Sequence, residues 1–160
     1  MATKATKSKI VTGMVRFSSL HVFDPIESST GKLKYFATIL IPKSASETIH
    51  KLKKSFEENI QANKAYFGGT IPDHLSGGIR DGDLESSLYA GYYFLVAESK
   101  EKPGVIDSDL NPITNRSAFY CGCYGRASIT ISPFKTAKGF GILTTLNNMM
   151  KLKDGARLVE

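Results

Sequence analysis

The run FYCGCYGRASITISPF, from Phe119 to Phe134, constrains the fold of this chain more than any other stretch. Apolar or small side chains occupy every second position, which is the period of a β-strand with one buried face. The cysteines, Gly125, Ala127 and the isoleucines fall on the side that predicts a core. The opposite side carries Tyr120, Tyr124 and Arg126. The run therefore predicts a long strand whose outer face is unusually aromatic and basic.

Four more strands and one helix are predicted from similar patterns. Residues 9–23 alternate, with Val15 and Phe17 on one side and Arg16 on the other. Helix signals follow Pro42, because Ser44 and Glu47 have the spacing of a capping box. Behind them lies an apolar stripe of Ile49, Leu52, Phe56 and Ile60. The remaining predicted strands are KLKYFATILIPK, GYYFLVAES and FKTAKGFGILTTLNN, the last beginning with a turn.

The order of these elements is strand, strand, helix, strand, strand, strand. Such clustering of strands disfavours a βαβ scheme with a parallel sheet. The predicted fold class is mainly β with one helix, as a five-stranded OB-fold-like barrel. Its helix comes early, after strand 2, and its connecting loops are long. One of them, residues 70–89, is long enough to be either functional or mobile.

Composition and charge restrict the partners. A chain of 160 residues suits one domain, and its net charge of +6 favours polyanions. No apolar run is long enough for a bilayer, and the N-terminus does not resemble a signal peptide, so a cytoplasmic protein without a membrane partner is expected. Cys121 and Cys123 are predicted to be small buried hydrophobes. The histidines lack metal-ligand spacing, so neither a metal nor another cofactor is expected.

Motifs of catalysis are scarce, and a protein that is not an enzyme is expected. One alternative is a metal-dependent nuclease that uses Asp81, Asp83, Asp107 and Asp109. Each pair lies in a turn-like sequence, DGD or DSDLNP, where aspartate commonly caps the backbone. A virion or scaffold protein with a basic surface is a third possibility.

Aromatic side chains beside basic ones indicate a surface for single-stranded nucleic acid. Each unpaired base that stacks on an aromatic ring contributes about 1–3 kcal/mol of binding energy, and the phosphates form ion pairs with the basic side chains. Tyrosines on a strand also pack against cross-strand neighbours, and the face of Tyr92 and Phe94 can instead be the core side. Arg80 can also simply pair with Asp81 or Asp83. The predicted binding residues are Arg16, Lys34, Phe36, Arg80, Tyr92, Phe94, Lys100, Tyr120, Tyr124 and Arg126, with Lys32 and Lys102 as further loop cations.

A family resemblance adds to this interpretation. The runs VRFSSLHVFDP, KYFATILIPK, IRDGD, YAGYYFLVAESK, KPGVIDSDLNPI and FYCGCYGRASITISPF occur in this order. From roughly Ile10 to Gly155 the chain resembles a family of bacteriophage single-stranded DNA-binding proteins, related genes of which were long catalogued as a domain of unknown function. The resemblance implies an OB-fold with a displaced helix and sequence-independent binding of single-stranded DNA. It also implies a role in phage DNA replication, recombination or repair in the cytoplasm of the infected bacterial host.

The resemblance also frames the domain boundaries. We expect a flexible basic arm at residues 1–8, a DNA-binding domain at 9–155 and a remnant of a C-terminal tail at 156–160. Proteins of this function typically end in an acidic tail that recruits replication partners, whereas this chain ends in KLKDGARLVE. The expectation is that such a tail, and with it a contact to phage replication proteins, was removed.

Overall fold

The computed structural model describes residues 5–158 of the chain. This part contains nine strands and one α-helix, joined by turns and loops. The helix α1 spans Ser46–Ala62. Two short 3₁₀ turns, Gly82–Leu84 and Ser87–Tyr89, follow the fifth strand. The strands are β1 (Ser8–Val11), β2 (Val15–Glu27), β3 (Leu33–Pro42), β4 (Ser76–Gly77), β5 (Arg80–Asp81), β6 (Tyr92–Ser99), β7 (Gly104–Ile106), β8 (Tyr124–Thr136) and β9 (Gly139–Lys153).

The five long strands follow one another in a ring, in the order β8, β2, β3, β6, β9 and back to β8. Most neighbours are antiparallel with extended ladders. Two junctions are short: β2 meets β8 through two residue pairs, and β6 meets β9 in parallel through the pair Glu98 and Thr145. The predicted mainly β fold, with its helix after the second strand of the ring, is confirmed. No helix of residues 5–158 is long and apolar enough to cross a membrane.

Alternation decides what lies inside the ring. Ala37, Ile39 and Ile41 point inward from β3, and Ala127, Ile129 and Ile131 do so from β8. The stripe of α1 adds Leu52 and Phe56 to the same core. The residues between these positions therefore face outward, which places Tyr124 and Arg126 on the outer side of β8 as predicted.

The first predicted strand, residues 9–23, is wrong as a single element. It consists of β1 and β2, which pair with different parts of β8 and are separated by residues 12–14. Thr12 bridges the interruption, since its N–H donates to the Ala127 carbonyl at 2.9 Å and its Oγ1 accepts from the Ala127 N–H at 3.0 Å. The side chain thus replaces a backbone partner, and the alternation loses its phase.

The fourth predicted strand begins at Tyr124 and not at Phe119. Residues 119–123 form a turn in which Gly122 has a φ of 115°, a conformation that favours glycine. Its N–H donates to the Phe17 carbonyl at 2.8 Å. Tyr120 therefore does not share a strand face with Tyr124. For the same reason Cys123 is fully buried while Cys121 is only partly buried, and both are free thiols.

The predicted capping box of α1 is also wrong. The helix begins at Ser46, its N-cap is Ala45, and no side chain caps it. The Ala45 N–H donates to the Pro42 carbonyl at 2.9 Å, so a turn precedes the helix and leaves Ser44 outside its first turn. The apolar stripe determined the helix, and the cap did not contribute.

The segments at the two ends are partly attached to the fold. Residues 1–4 and 159–160 of the predicted arm and tail lie outside the described residues. Thr6, within the predicted arm, donates its N–H to Asn63 at 2.6 Å, and its carbonyl accepts from Asn59 at 3.0 Å. In the predicted tail, the Leu158 N–H donates to the Cys121 carbonyl at 3.0 Å.

Candidate nucleic-acid interface

One row of outward-facing residues crosses the strands side by side. Arg16 on β2 lies opposite Tyr124 on β8 and Leu40 on β3. Leu40 in turn lies opposite Phe94 on β6, which lies opposite Arg80 on β5. These register pairs create a strip of three cations, two aromatic rings and one leucine. We call it the outer row: Lys153, Tyr124, Arg16, Leu40, Phe94 and Arg80.

Arg16 is the fixed centre of this row. Its side chain is almost buried, at 9% exposure, and its Nε donates to the Gly122 carbonyl at 3.0 Å. Nη1 donates to the Tyr92 hydroxyl at 3.0 Å, and Nη2 donates to the Ala156 carbonyl at 2.5 Å. None of these acceptors is charged, and Arg16 forms no ion pair within residues 5–158. The guanidinium therefore keeps an uncompensated positive charge at a rigid position.

Two tyrosine rings, of which Tyr124 lies next to Arg16, each contact two cations. The Tyr124 centroid is 5.2 Å from the Arg16 guanidinium carbon and 4.9 Å from Lys153 Nζ. The Tyr120 centroid is 4.4 Å from the guanidinium carbon of Arg157 and 5.3 Å from Lys151 Nζ. Cation–π contacts of this length are attractive. We call Arg16, Tyr120, Tyr124, Lys151, Lys153 and Arg157 the tyrosine cluster.

The turn at residues 119–123 brings Tyr120 to the end of β9. Its hydroxyl accepts from the Gly155 N–H at 3.2 Å and lies 3.0 Å from the Gly155 carbonyl and 3.1 Å from Asp154 Oδ1. Hydrogen bonds from Lys151 and then from Tyr120 hold the pKa of Asp154 below its usual range. Asp154 thus remains ionised and paired with Lys151. The chain after β9 is anchored on the tyrosine cluster.

The other end of the outer row is covered by a loop. Phe94 points outward but is only 5% exposed, because the Tyr89 ring lies 5.1 Å away and the Arg80 guanidinium carbon lies 5.7 Å away. Arg80 pairs with Glu85 at 3.4 Å and not with Asp81 or Asp83. Tyr92 lies on the outer side and is half-buried, and its hydroxyl accepts a hydrogen bond from Arg16. The strand face of Tyr92 and Phe94 is therefore outside the core.

Further along the same sheet face lies a smaller apolar area. Phe36 stacks on His21 at 4.6 Å between ring centroids, and Val96 is 45% exposed beside them. The predicted residue Phe36 thus has a partner from β2. The outer face continues from the tyrosine cluster over these side chains.

Three predicted cations lie elsewhere. Lys34 and Lys100 border a cleft of about 640 Å³ at the far ends of β3 and β6, where Lys34 pairs with Glu98 at 2.9 Å. Arg126 is exposed and borders a separate pocket of about 230 Å³ with Thr12 and Glu47. The structure therefore brings Arg16, Tyr92, Tyr120 and Tyr124 together, and Arg80 and Phe94 join them along the outer row.

Sequence reasoning missed the cations at the end of β9. Lys151, Lys153 and Arg157 are not among the predicted binding residues, although the alternating KLK has the pattern of a strand. The prediction ended the last strand near Asn148, whereas β9 continues to Lys153. These three side chains contribute cations to both tyrosine rings.

Three of the four aspartates of the nuclease alternative have structural roles. Lys43 Nζ donates to Asp81 at 2.6 Å and to Asp83 at 2.5 Å, and Asp83 also accepts from the Gly91 N–H at 2.8 Å. Asp107 accepts from two backbone N–H groups of its own turn. Within residues 5–158 no group of three or more His, Cys, Asp or Glu side chains is placed to hold a metal ion. The nuclease alternative finds no support.

The ion pairs of Lys43 with Asp81 and Asp83 predict that the loop from Asp81 to Gly91 is sensitive to acid. Hydrogen bonds from Lys43 lower the pKa of Asp81 and of Asp83, and the two carboxylates raise the pKa of Lys43. Because the folded-state pKa values of the aspartates are depressed, their contribution is present above the unfolded value of about 3.9 and is lost as pH falls through the lower folded values. We expect the Gly91 amide to lose protection against hydrogen exchange in Lys43→Ala at pH 7. In the unmodified chain the same loss of protection, relative to the intrinsic exchange rate at each pH, should begin only below about pH 4. Equal protection in both chains at pH 7 would contradict this role.

Two sequence comparisons find relatives among phage proteins. The family model described as the ssDNA-binding protein of Enterobacter phage Enc34 matches residues 8–159. Putative protein p50 of Acyrthosiphon pisum secondary endosymbiont phage 1 is 31% identical over 158 residues, covering 92% of this chain and 84% of that protein.

Solved structures show the same fold. The single-stranded DNA-binding protein from bacteriophage Enc34, in complex with ssDNA, has a TM-score of 0.80 at 24% identity, over 94% of this chain and 89% of that one. The single-stranded DNA-binding protein gp2.5 of bacteriophage T7 has a TM-score of 0.65 at 14% identity, with the same coverage of 94% and 89%. These matches confirm the OB-like arrangement of the strand ring. By the extent of the family match, this chain belongs to the phage Enc34 family of single-stranded DNA-binding proteins.

Proposed function

We propose that this chain binds single-stranded DNA without sequence preference and acts in phage DNA replication. The observation that carries the proposal is the tyrosine cluster, where two partly exposed rings lie among four cations. Rings and cations in this arrangement suit bases and phosphates, respectively, of an unpaired strand. The Enc34 relative was solved in complex with ssDNA, which supports the same ligand here.

The DNA path of the proposal follows the outer row. Bases stack on Tyr124 and Tyr120, while phosphates contact Lys153 and Arg157, whose side chains are exposed. Arg80 marks the far end of the row, and Phe94 stays under Tyr89 unless the loop moves. Arg126, exposed two residues beyond Tyr124, offers one more phosphate contact at the edge of the path.

In this proposal the protein binds DNA without cleaving it and is not an enzyme. Residues 9–155 form its DNA-binding domain. It acts in the cytoplasm of the infected bacterium, where it protects exposed single strands during replication and, by extension, recombination and repair. Incubation of single-stranded and branched DNA with Mg²⁺ or Mn²⁺ tests the first point. Intact substrate is the expected result, and cleavage that follows the purified chain would contradict it.

Salt dependence tests the phosphate contacts. Binding of fluorescent oligo-dT should weaken steeply with salt, because each neutralised phosphate of a single strand contributes about −0.7 to the slope of log K against log salt. In the double variant K153A/R157A the slope should become shallower by about 1.4. The matched control is K54A/K64A, which removes two exposed lysines on the helix side of the molecule. An equal change in both variants, or an equal preference for duplex DNA, would contradict the proposed surface.

A further inference from the structure

The cleft beside Lys34 and Lys100 differs in chemistry from the outer row. Its floor contains Leu33 and Leu143, which are 61% and 36% exposed. Its rim carries Lys32, Lys100 and Lys102, and these three lysines form no ion pair within residues 5–158. No aromatic side chain of the described residues borders it. A base would find nothing to stack on there.

The cleft also lies at the weakest junction of the strand ring. Among the described residues, β6 and β9 meet only through Glu98 and Thr145. The same edge of β9 pairs with β4 up to Ile142 and with β7 from Asn148 onward. Between these points the backbone of β9 has this single partner pair, and the cleft opens over it. An incompletely paired strand edge is where an extended peptide adds by backbone hydrogen bonds.

Charge selects the kind of peptide. Glu98 is paired with Lys34, so only Glu101 offsets the three unpaired lysines of the rim. The surplus favours acidic side chains, and the leucines favour apolar ones between them. In an extended strand successive side chains point to opposite sides, so an alternating sequence presents both at once.

We propose that this cleft docks an acidic, leucine-containing segment of a partner protein in extended form, apart from the DNA-binding surface. Along β3, Lys34 at the cleft lies six positions from Leu40 in the outer row, roughly 20 Å at the rise of a strand. Peptide and DNA therefore occupy the protein together. This inference does not depend on the proposed DNA binding.

The test uses the full chain and a fluorescein-labelled peptide, DLDLELDL, with fluorescence anisotropy as readout. We expect binding to the unmodified chain and binding that is about tenfold weaker to K32A/K100A/K102A. The matched control K54A/K64A/K138A removes three exposed lysines away from the cleft and should bind as the unmodified chain does. A second peptide, DSDSESDS, keeps the charge without leucines and should bind more weakly. Leu143→Ser should reduce binding of DLDLELDL toward the level of this second peptide.

Four outcomes would overturn the docking site. The first is that DLDLELDL does not bind, and the second is that the control K54A/K64A/K138A loses as much binding as K32A/K100A/K102A. The third is that saturating oligo-dT displaces the peptide. The fourth is that K32A/K100A/K102A binds the peptide unchanged but binds oligo-dT more weakly. The last two would assign the cleft to DNA. Failure of oligo-dT to bind the unmodified chain would contradict the proposed function and leave the peptide measurement intact.

Discussion

Tyr124→Ala is expected to weaken the binding of oligo-dT by roughly 5- to 150-fold, which corresponds to the 1–3 kcal/mol that one base–aromatic stack contributes. The ring lies at the centre of the tyrosine cluster, flanked by Arg16 and Lys153, so a base stacked there has phosphate-binding cations on both neighbouring strands. Because no charge is removed, the salt slope should stay the same. Titration of fluorescent oligo-dT at several salt concentrations separates the two effects.

Tyr124→Phe is the matched control for this prediction. It keeps the ring and removes the hydroxyl, so it should bind within about twofold of the unmodified chain if stacking is the interaction. Urea unfolding of both variants shows whether the fold persists, because the ring also packs against the chain at Gly155. If Tyr124→Ala folds and binds like the unmodified chain, the stacking surface lies elsewhere.

Arg16→Ala is expected to lower the free energy of unfolding by about 2–5 kcal/mol. The almost buried guanidinium ties β2 to Gly122, Tyr92 and Ala156, three positions far apart in the chain. Its removal leaves two backbone carbonyls and a hydroxyl without their donor at the point where the turn before β8 meets the end of β9. Urea unfolding with an unchanged m value would measure the loss.

Two comparisons make this prediction specific. Arg16→Lys keeps the charge but cannot reach three acceptors at once. Its free energy of unfolding should therefore lie between those of the unmodified chain and Arg16→Ala. The salt slope of its DNA binding should equal that of the unmodified chain, because the charge is retained. Arg80→Ala removes an arginine of the same row that is 53% exposed and paired with Glu85, and its stability should change by no more than about 0.5 kcal/mol. Equal destabilisation by Arg16→Ala and Arg80→Ala would show that Arg16 does not organise the site.

Periodicity predicted the parts of the site that depend on one strand alone. Alternation in β8 assigned Ala127, Ile129 and Ile131 to the core and Tyr124 to the outside, and both assignments are confirmed. The same argument places Phe36 on the outer side of β3, where its ring contacts His21. These predictions need no knowledge of neighbours, because the side of a strand that a residue faces follows from its position in the strand.

A turn and an interrupted strand account for two of the predictions that were wrong. Gly122 at a positive φ ends the strand pattern before Tyr124, and Thr12 interrupts the pattern before Val15. In each case the local sequence still alternates, but a hydrogen bond to a distant residue replaces the ladder. Such contacts are decided by the partner strand, and sequence periodicity carries no information about it.

The sequence by itself determined a mainly β chain with one helix, a basic surplus and a strand with rings on its outer side. Only the tertiary structure decided which of these residues meet. It placed Tyr120 beside Arg157 through a turn, covered Phe94 with Tyr89 and put Lys100 in a cleft away from the rings. The physical reason is that the period of a strand is set by its own backbone. The order of strands around the ring is set by pairing between segments that are distant in the chain, such as Arg16 in β2 and Tyr124 in β8.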